Sequence, residues 1–159
     1  MTRSLSAPPR IAVVVSAFNP EITGGLLRGA CACLAEFGVA VAAADIVEAP
    51  GAFETPLLAQ ALARTGRYDG VVALGCVIKG DTAHFEFISL AASMGVMTAS
   101  LATETPIAFG VLTTYTDEQA ELRSRDDAAN KGREAAEACL AAIAALRRIR
   151  APEAAAAGA

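Results

Sequence analysis

The chain has 159 residues and four cysteines, with 54% hydrophobic residues, 19% charged residues and a formal net charge of −4. That length is enough for one domain with a core of its own, and the acidic balance (pI about 5.0) argues against a nucleic-acid partner, which calls for a basic face. A mean hydropathy of +0.44 is high for a chain without a strongly apolar run of ~20 residues, so no membrane span is expected and part of the apolar surface is assigned to contacts between subunits.

Residues 1–9 carry no periodic pattern and are expected to be a flexible lead-in, with residues 10–150 forming one domain. No basic and then apolar leader is visible, and a cytoplasmic location is expected. A short β-branched run at 11–15 predicts a buried strand ending in Ser16-Ala17-Phe18-Asn19-Pro20. Leu26, Leu27, Ala30, Cys31, Leu34 and Phe37 then recur at helical spacing, with Gly38 where a left-handed residue closes a helix. Residues 39–47 predict the second strand, followed by Glu48-Ala49-Pro50-Gly51-Ala52-Phe53-Glu54. Thr55 can cap the next helix, Pro56 can open it and Gly66 can stop it.

The third strand, from Val71, is apolar on both faces and so belongs at the centre of a parallel sheet. It runs into Lys79-Gly80-Asp81-Thr82, a turn with two good capping residues, and then a helix over 83–102 that carries His84, the single histidine. Residues 107–113 predict a fourth strand. Thr116 and Gln119 have capping-box spacing, a last helix is expected over 126–150, and the Ala-rich residues 151–159 are expected to fray. Alternating strands and helices of this kind imply right-handed crossovers and a flavodoxin-like three-layer α/β/α sandwich on a four-stranded parallel sheet. Cys31 and Cys33, two residues apart on one helix, face different ways; all four cysteines are expected to be free and small core residues.

Ligands of open parallel sheets bind beyond the carboxyl ends of the strands. The residues there are Phe18 and Asn19; Ala52, Phe53 and Glu54; 79–84; and 109–114. Two phenylalanines beside a carboxylate suit a planar heterocycle bearing hydroxyls or amides, unless both rings fold back on the core. His84 can give and take protons near neutrality, or can serve as a hydrogen-bonded imidazole at a helix start. Lys79 is either a Schiff-base amine or a cation for phosphate, and the second is favoured because nothing buries it.

Five segments together resemble the lumazine synthase family: Phe18-Asn19, Pro50-Gly51-Ala52-Phe53-Glu54, Leu74-Gly75-Cys76-Val77-Ile78-Lys79-Gly80-Asp81-Thr82-Ala83-His84-Phe85-Glu86, Phe109-Gly110-Val111-Leu112-Thr113 and Asn130-Lys131-Gly132. The resemblance implies condensation of 5-amino-6-(D-ribitylamino)uracil with 3,4-dihydroxy-2-butanone 4-phosphate in riboflavin biosynthesis, through a Schiff base, phosphate elimination and ring closure. It implies no metal and no redox cofactor. Carried over by position, Phe18 stacks on the pyrimidine, while Asn19, Ala52, Phe53, Glu54, Val77 and Ile78 line its pocket. Lys79, Gly80, Asp81, Thr82 and Arg123 belong to the phosphate region, and His84 shuttles protons. Phe109, Arg123 and Lys131 come from an adjoining subunit, so the small-molecule substrates require a homopentamer or a multiple of pentamers.

Residues 124–129 depart from the family's Gly-rich linker, and two acidic residues there suit a phosphate site only if Asp127 pairs with Arg123. An isolated pentamer or a pair of pentamers is therefore expected. Two other readings compete: a catalytically weak paralogue that binds or carries flavin precursors, and a redox flavodoxin. The second is disfavoured, because Ala17-Phe18-Asn19-Pro20-Glu21 lacks the Ser, Thr and Gly of a flavodoxin phosphate loop.

Overall fold

The computed structural model describes residues 7–151. The expected lead-in and tail therefore fall largely outside the described residues. Four strands, β1 (Ile11–Ser16), β2 (Ile46–Ala49), β3 (Gly70–Ile78) and β4 (Ile107–Thr114), form one parallel sheet in the order β2-β1-β3-β4. Five helices connect or follow them: α1 (Pro20–Glu36), α2 (Thr55–Arg64), α3 (His84–Thr103), α4 (Asp117–Ser124) and α5 (Lys131–Arg150). This is the expected α/β/α sandwich.

Side chains alternate across the sheet because successive Cβ atoms point to opposite faces. Ile11, Val13, Val72, Leu74, Cys76 and Leu112 pack with Leu26, Ala30, Cys33 and Leu34 of α1 and Ala136, Cys139 and Ile143 of α5. Ala12, Val14, Val71, Ala73 and Ile107 pack with Ala59 and Ala63 of α2 and Val96 and Ala99 of α3. All four cysteines are free, and Cys33 is buried while Cys31 is only partly so. Gly38 and Gly66 both lie in the left-handed region, at φ +76° and +68°, just past the ends of α1 and α2.

The second strand is shorter than its sequence pattern. Residues 39–42 are not paired, and the chain takes one tight helical turn at Ala43–Asp45 before β2 begins. Asp45 is the reason: its buried Oδ1 accepts from Tyr68 Oη and from Arg10 Nη2, each at 2.8 Å. Those bonds fix a turn where the alanines around it have little strand preference to set against them. Thr55 does not cap α2 either. It is the first helical residue, and its Oγ1 donates to the carbonyl of Ala52 at 2.8 Å.

The last helix begins at Lys131, five residues later than its pattern suggests, because Asn130 caps it. Between α4 and α5 the chain folds into a turn in which Asp127 Oδ1 accepts from the Ala129 amide at 2.8 Å. With no helix across this turn, the four-residue spacing of Arg123 and Asp127 does not make them neighbours, and no ion pair joins them among the described residues. Thr116 behaves as expected: its Oγ1 accepts from the Gln119 amide at 3.2 Å, while Gln119 Oε1 accepts from the Tyr115 amide at 2.9 Å.

α3 has 20 residues and a mean hydropathy of 1.4, enough by length and composition to cross a membrane, although the sequence run was expected to fall short. It buries Ala92, Val96 and Ala99 against the rest of the fold. Phe87, Leu90, Met94, Met97 and Leu101 form an exposed stripe on its other side.

Candidate active site

The sheet order places the switch in winding direction between β1 and β3, where two loops part and leave a crevice. Ser16 Oγ accepts from the Phe18 amide at 3.2 Å and starts the turn that ends β1. Asn19 follows in a left-handed conformation, φ 56° and ψ 59°, which asparagine tolerates better than most residues. Its carbonyl accepts from the amides of Ile22 and Thr23, at 3.1 and 3.0 Å, while its side-chain Nδ2 donates to the carbonyl of Cys76 at 3.1 Å. Phe18 is thereby pushed outward, 68% exposed, and Phe53 is 57% exposed. Neither ring folds back on the core.

A cavity of about 620 Å³ opens here. Its walls include Phe18, Asn19, Ala52, Phe53, Glu54, Val77, Ile78, Gly80, Thr82 and His84, ten of the residues expected from sequence. Glu54 precedes α2 without capping it, which leaves its carboxylate free to face the cavity. Thr82 Oγ1 lies 3.4 Å from the His84 amide at the start of α3. Ala83, rather than Asp81 or Thr82, occupies the N-cap position and supplies no side-chain cap; Thr82 Oγ1 takes the His84 amide instead, and the Glu86 amide faces its own carboxylate.

Lys79 and Asp81 do not line this cavity. Lys79 Nζ pairs with Glu86 Oε1 at 3.2 Å and sits 5.5 Å from the centre of the Tyr115 ring. The backbone amide of Glu86 and then the Lys79 ammonium hold the Glu86 carboxyl below the usual carboxylate range.

Sequence reading missed Gly51, Cys76, Phe85, Ile88 and Asp117 in the walls. Ile88 lies four residues after His84 and so shares its helix face, a signal that was available. Asp117 could not be found that way, since only the folded chain brings α4 to the end of β3. Burial, and next the charge of Asp117, push the Cys76 thiol up to about 11. It is therefore protonated at neutral pH and contributes shape rather than a nucleophile.

Phe109, Arg123 and Lys131 lie elsewhere. They line a second cavity of about 290 Å³ between β4, α4 and the start of α5. Arg123 Nη1 donates to the carbonyl of Gln119 at 3.0 Å, and Lys131 pairs with Glu134. The two cavities share no residue. Among the described residues no three His, Cys, Asp or Glu side chains converge in a way that could hold a metal.

The family model for 6,7-dimethyl-8-ribityllumazine synthase matches residues 8–147. The chain belongs to the lumazine synthase family. It is 73% identical over 143 residues to the 6,7-dimethyl-8-ribityllumazine synthase 1 of Caulobacter vibrioides, covering 90% of this chain and 94% of that one. The corresponding synthase of Edwardsiella ictaluri is 49% identical over 143 residues, 89% and 92% of the two chains. That of Salinibacter ruber is 47% identical over 131 residues, 82% and 84% of the two chains. In this lumazine synthase fold the larger cavity is lined by residues from three of the five segments that carry the resemblance.

Proposed function

We propose that the chain makes 6,7-dimethyl-8-ribityllumazine from 5-amino-6-(D-ribitylamino)uracil and 3,4-dihydroxy-2-butanone 4-phosphate, releasing phosphate and water in riboflavin biosynthesis. The observation that carries this reading is the 620 Å³ cavity, in which two exposed phenylalanines, a free carboxylate and the single histidine meet. Phe18 stacks on the pyrimidine ring, and Glu54 accepts hydrogen bonds from ribityl hydroxyls. The amides before α3 and the Thr82 hydroxyl receive the phosphate end of the second substrate.

The pyrimidine's 5-amino nitrogen attacks the ketone carbon and loses water to form the Schiff base. Phosphate then leaves, and the ribitylamino nitrogen closes the ring with loss of a second water. The protein's part is to hold amine and ketone in register and to move protons. His84, the only imidazole, takes and returns those protons.

The phosphate's cation is Arg123, supplied by a neighbouring copy together with Phe109 and Lys131. Two features support a homopentamer or a multiple of pentamers, which we place in the cytoplasm. The first is that Arg123, Phe109 and Lys131 line a different cavity of the chain from Phe18 and His84, which suits a site shared between copies. The second is the stripe on α3: Phe87, Leu90, Met94, Met97 and Leu101 follow the alternating three- and four-residue steps of a seven-residue repeat. Such a stripe suits a bundle of like helices, and residues 124–129 favour an isolated pentamer or a pair.

The test is to mix the two substrates with the protein and follow lumazine fluorescence. Turnover supports the synthase; binding of the product without turnover favours a carrier of flavin precursors. If sites are shared, Phe18→Ala and Arg123→Ala subunits, each nearly inactive alone, regain about a quarter of full activity when reassembled together in equal amounts.

A further inference from the structure

Asn130 is the most heavily engaged polar side chain described, and the chemistry above does not use it. It is 1% exposed. Its Nδ2 lies 3.1 Å from the carbonyl of Gly25, 3.1 Å from that of Ser124 and 2.8 Å from that of Arg125. Its Oδ1 accepts from the amides of Gly132 and Arg133, at 2.9 and 3.1 Å. One amide thus joins three helices: the middle of α1, the end of α4 and the start of α5. The fit leaves no slack, since a Cβ on Gly29 would lie 2.2 Å from Asn130 Oδ1 and one on Gly25 2.3 Å from the carbonyl of Ser124.

The residues on either side of this junction are the two cations of the 290 Å³ cavity. Arg123 immediately precedes Ser124, and Lys131 immediately follows Asn130. The arginine's own helix is short and the segment after it is irregular, so without the amide the last turn of α4 has little to fix it against α5.

We propose that Asn130 is a positioning residue for phosphate recognition: it sets the spacing of Arg123 and Lys131 by clamping α4 and α5 to α1. This rests on reading that cavity as the phosphate-binding half of a shared site. A purely structural amide would alter both substrates alike, whereas a positioning one alters the phosphate end alone.

Asn130→Asp keeps the oxygen that caps α5 and removes the donors to Gly25, Ser124 and Arg125. In the assembled enzyme it is expected to raise KM for the butanone phosphate about tenfold, leave KM for the pyrimidine within about twofold, and weaken inorganic phosphate binding by the same tenfold, measured by calorimetry. In an Arg123→Ala background the same substitution should add clearly less to either phosphate measure, since only Lys131 is left to be displaced. Gly25→Ala, which displaces the Ser124 carbonyl while leaving Asn130 in place, should give the same selective loss and serves if Asn130→Asp does not assemble. Equal rises in both KM values, an undiminished effect in the Arg123→Ala background, or unaltered phosphate binding by Gly25→Ala would each overturn the proposal. A protein that binds phosphate but forms no lumazine defeats the functional reading, and the phosphate titrations then still decide the clamp. A protein that binds no phosphate overturns both.

Discussion

Asn19 ties β1 to β3 at the point where the sheet changes winding direction, donating its side-chain amide to the carbonyl of Cys76 at 3.1 Å. The same residue holds a left-handed backbone that places Phe18 at the rim of the cavity. Asn19→Ala loses both the hydrogen bond and the local tolerance of that conformation, an expected cost of about 1–2 kcal/mol. Asn19→Gly loses the bond but accepts the conformation, so it should fall between the parent and Asn19→Ala in urea unfolding. Glycine proving the more damaging substitution would show that backbone conformation is not what asparagine supplies there. Both variants should raise KM for the pyrimidine more than for the phosphate substrate.

His84 sits at the first turn of α3 with its side chain in the cavity wall. Both substrates are reactive in themselves, so holding them together accounts for much of the acceleration and proton transfer for a further ~10²–10⁴-fold. His84→Ala is therefore expected to bind both substrates and turn over slowly. Complete loss of activity in a correctly assembled variant would mean that the imidazole does more than shuttle protons.

The α3 stripe centres on Met94, which is exposed in the single chain. In the proposed bundle a carboxylate there would have to be buried at a cost that an apolar stripe does not offset. Met94→Glu should leave the fold intact by circular dichroism and shift sedimentation from the proposed pentamer to smaller species. If sites are shared between copies as proposed, lumazine formation should be lost with it. A megadalton particle as the main species of the unaltered protein would rule out the smaller assemblies favoured by residues 124–129.

Asp45 gives a pH prediction on the opposite side of the molecule from the cavity. Hydrogen bonds from Arg10 and next from Tyr68 hold its carboxyl below the usual value. A carboxyl depressed in the folded state adds stability above its unfolded value, near ~4, and loses it as pH falls through its lower folded value. Asp45→Asn should thus be destabilised relative to the parent at pH 7, with the gap closing as the pH falls below the usual carboxylate range. Denaturant unfolding of the pair at pH 7 and below that range checks this, and a gap that stays constant would place the effect in shape rather than charge.

Much of this was legible along the chain. The β-branched runs at 11–15 and from 71 onward could only be buried strands, and the glycines at 38 and 66 marked two helix ends, because these signals depend on local sterics and on period. The cavity residues were legible for a similar reason, since a parallel sheet gathers whatever follows its strands at one edge. What local pattern could not settle was decided by single buried polar side chains acting at a distance. Asp45, bonded to Arg10 and Tyr68, turned three residues of an expected strand into a helical turn. Asn130, bonded to residues of α1 and α4, set where the last helix begins. The division of the candidate site into two separate cavities was also a matter of tertiary structure. Composition required that apolar surface be covered and motifs named the site's residues, but only the packing of α4 and α5 against β4 put Arg123 and Lys131 in a different cavity of the chain from Phe18 and His84.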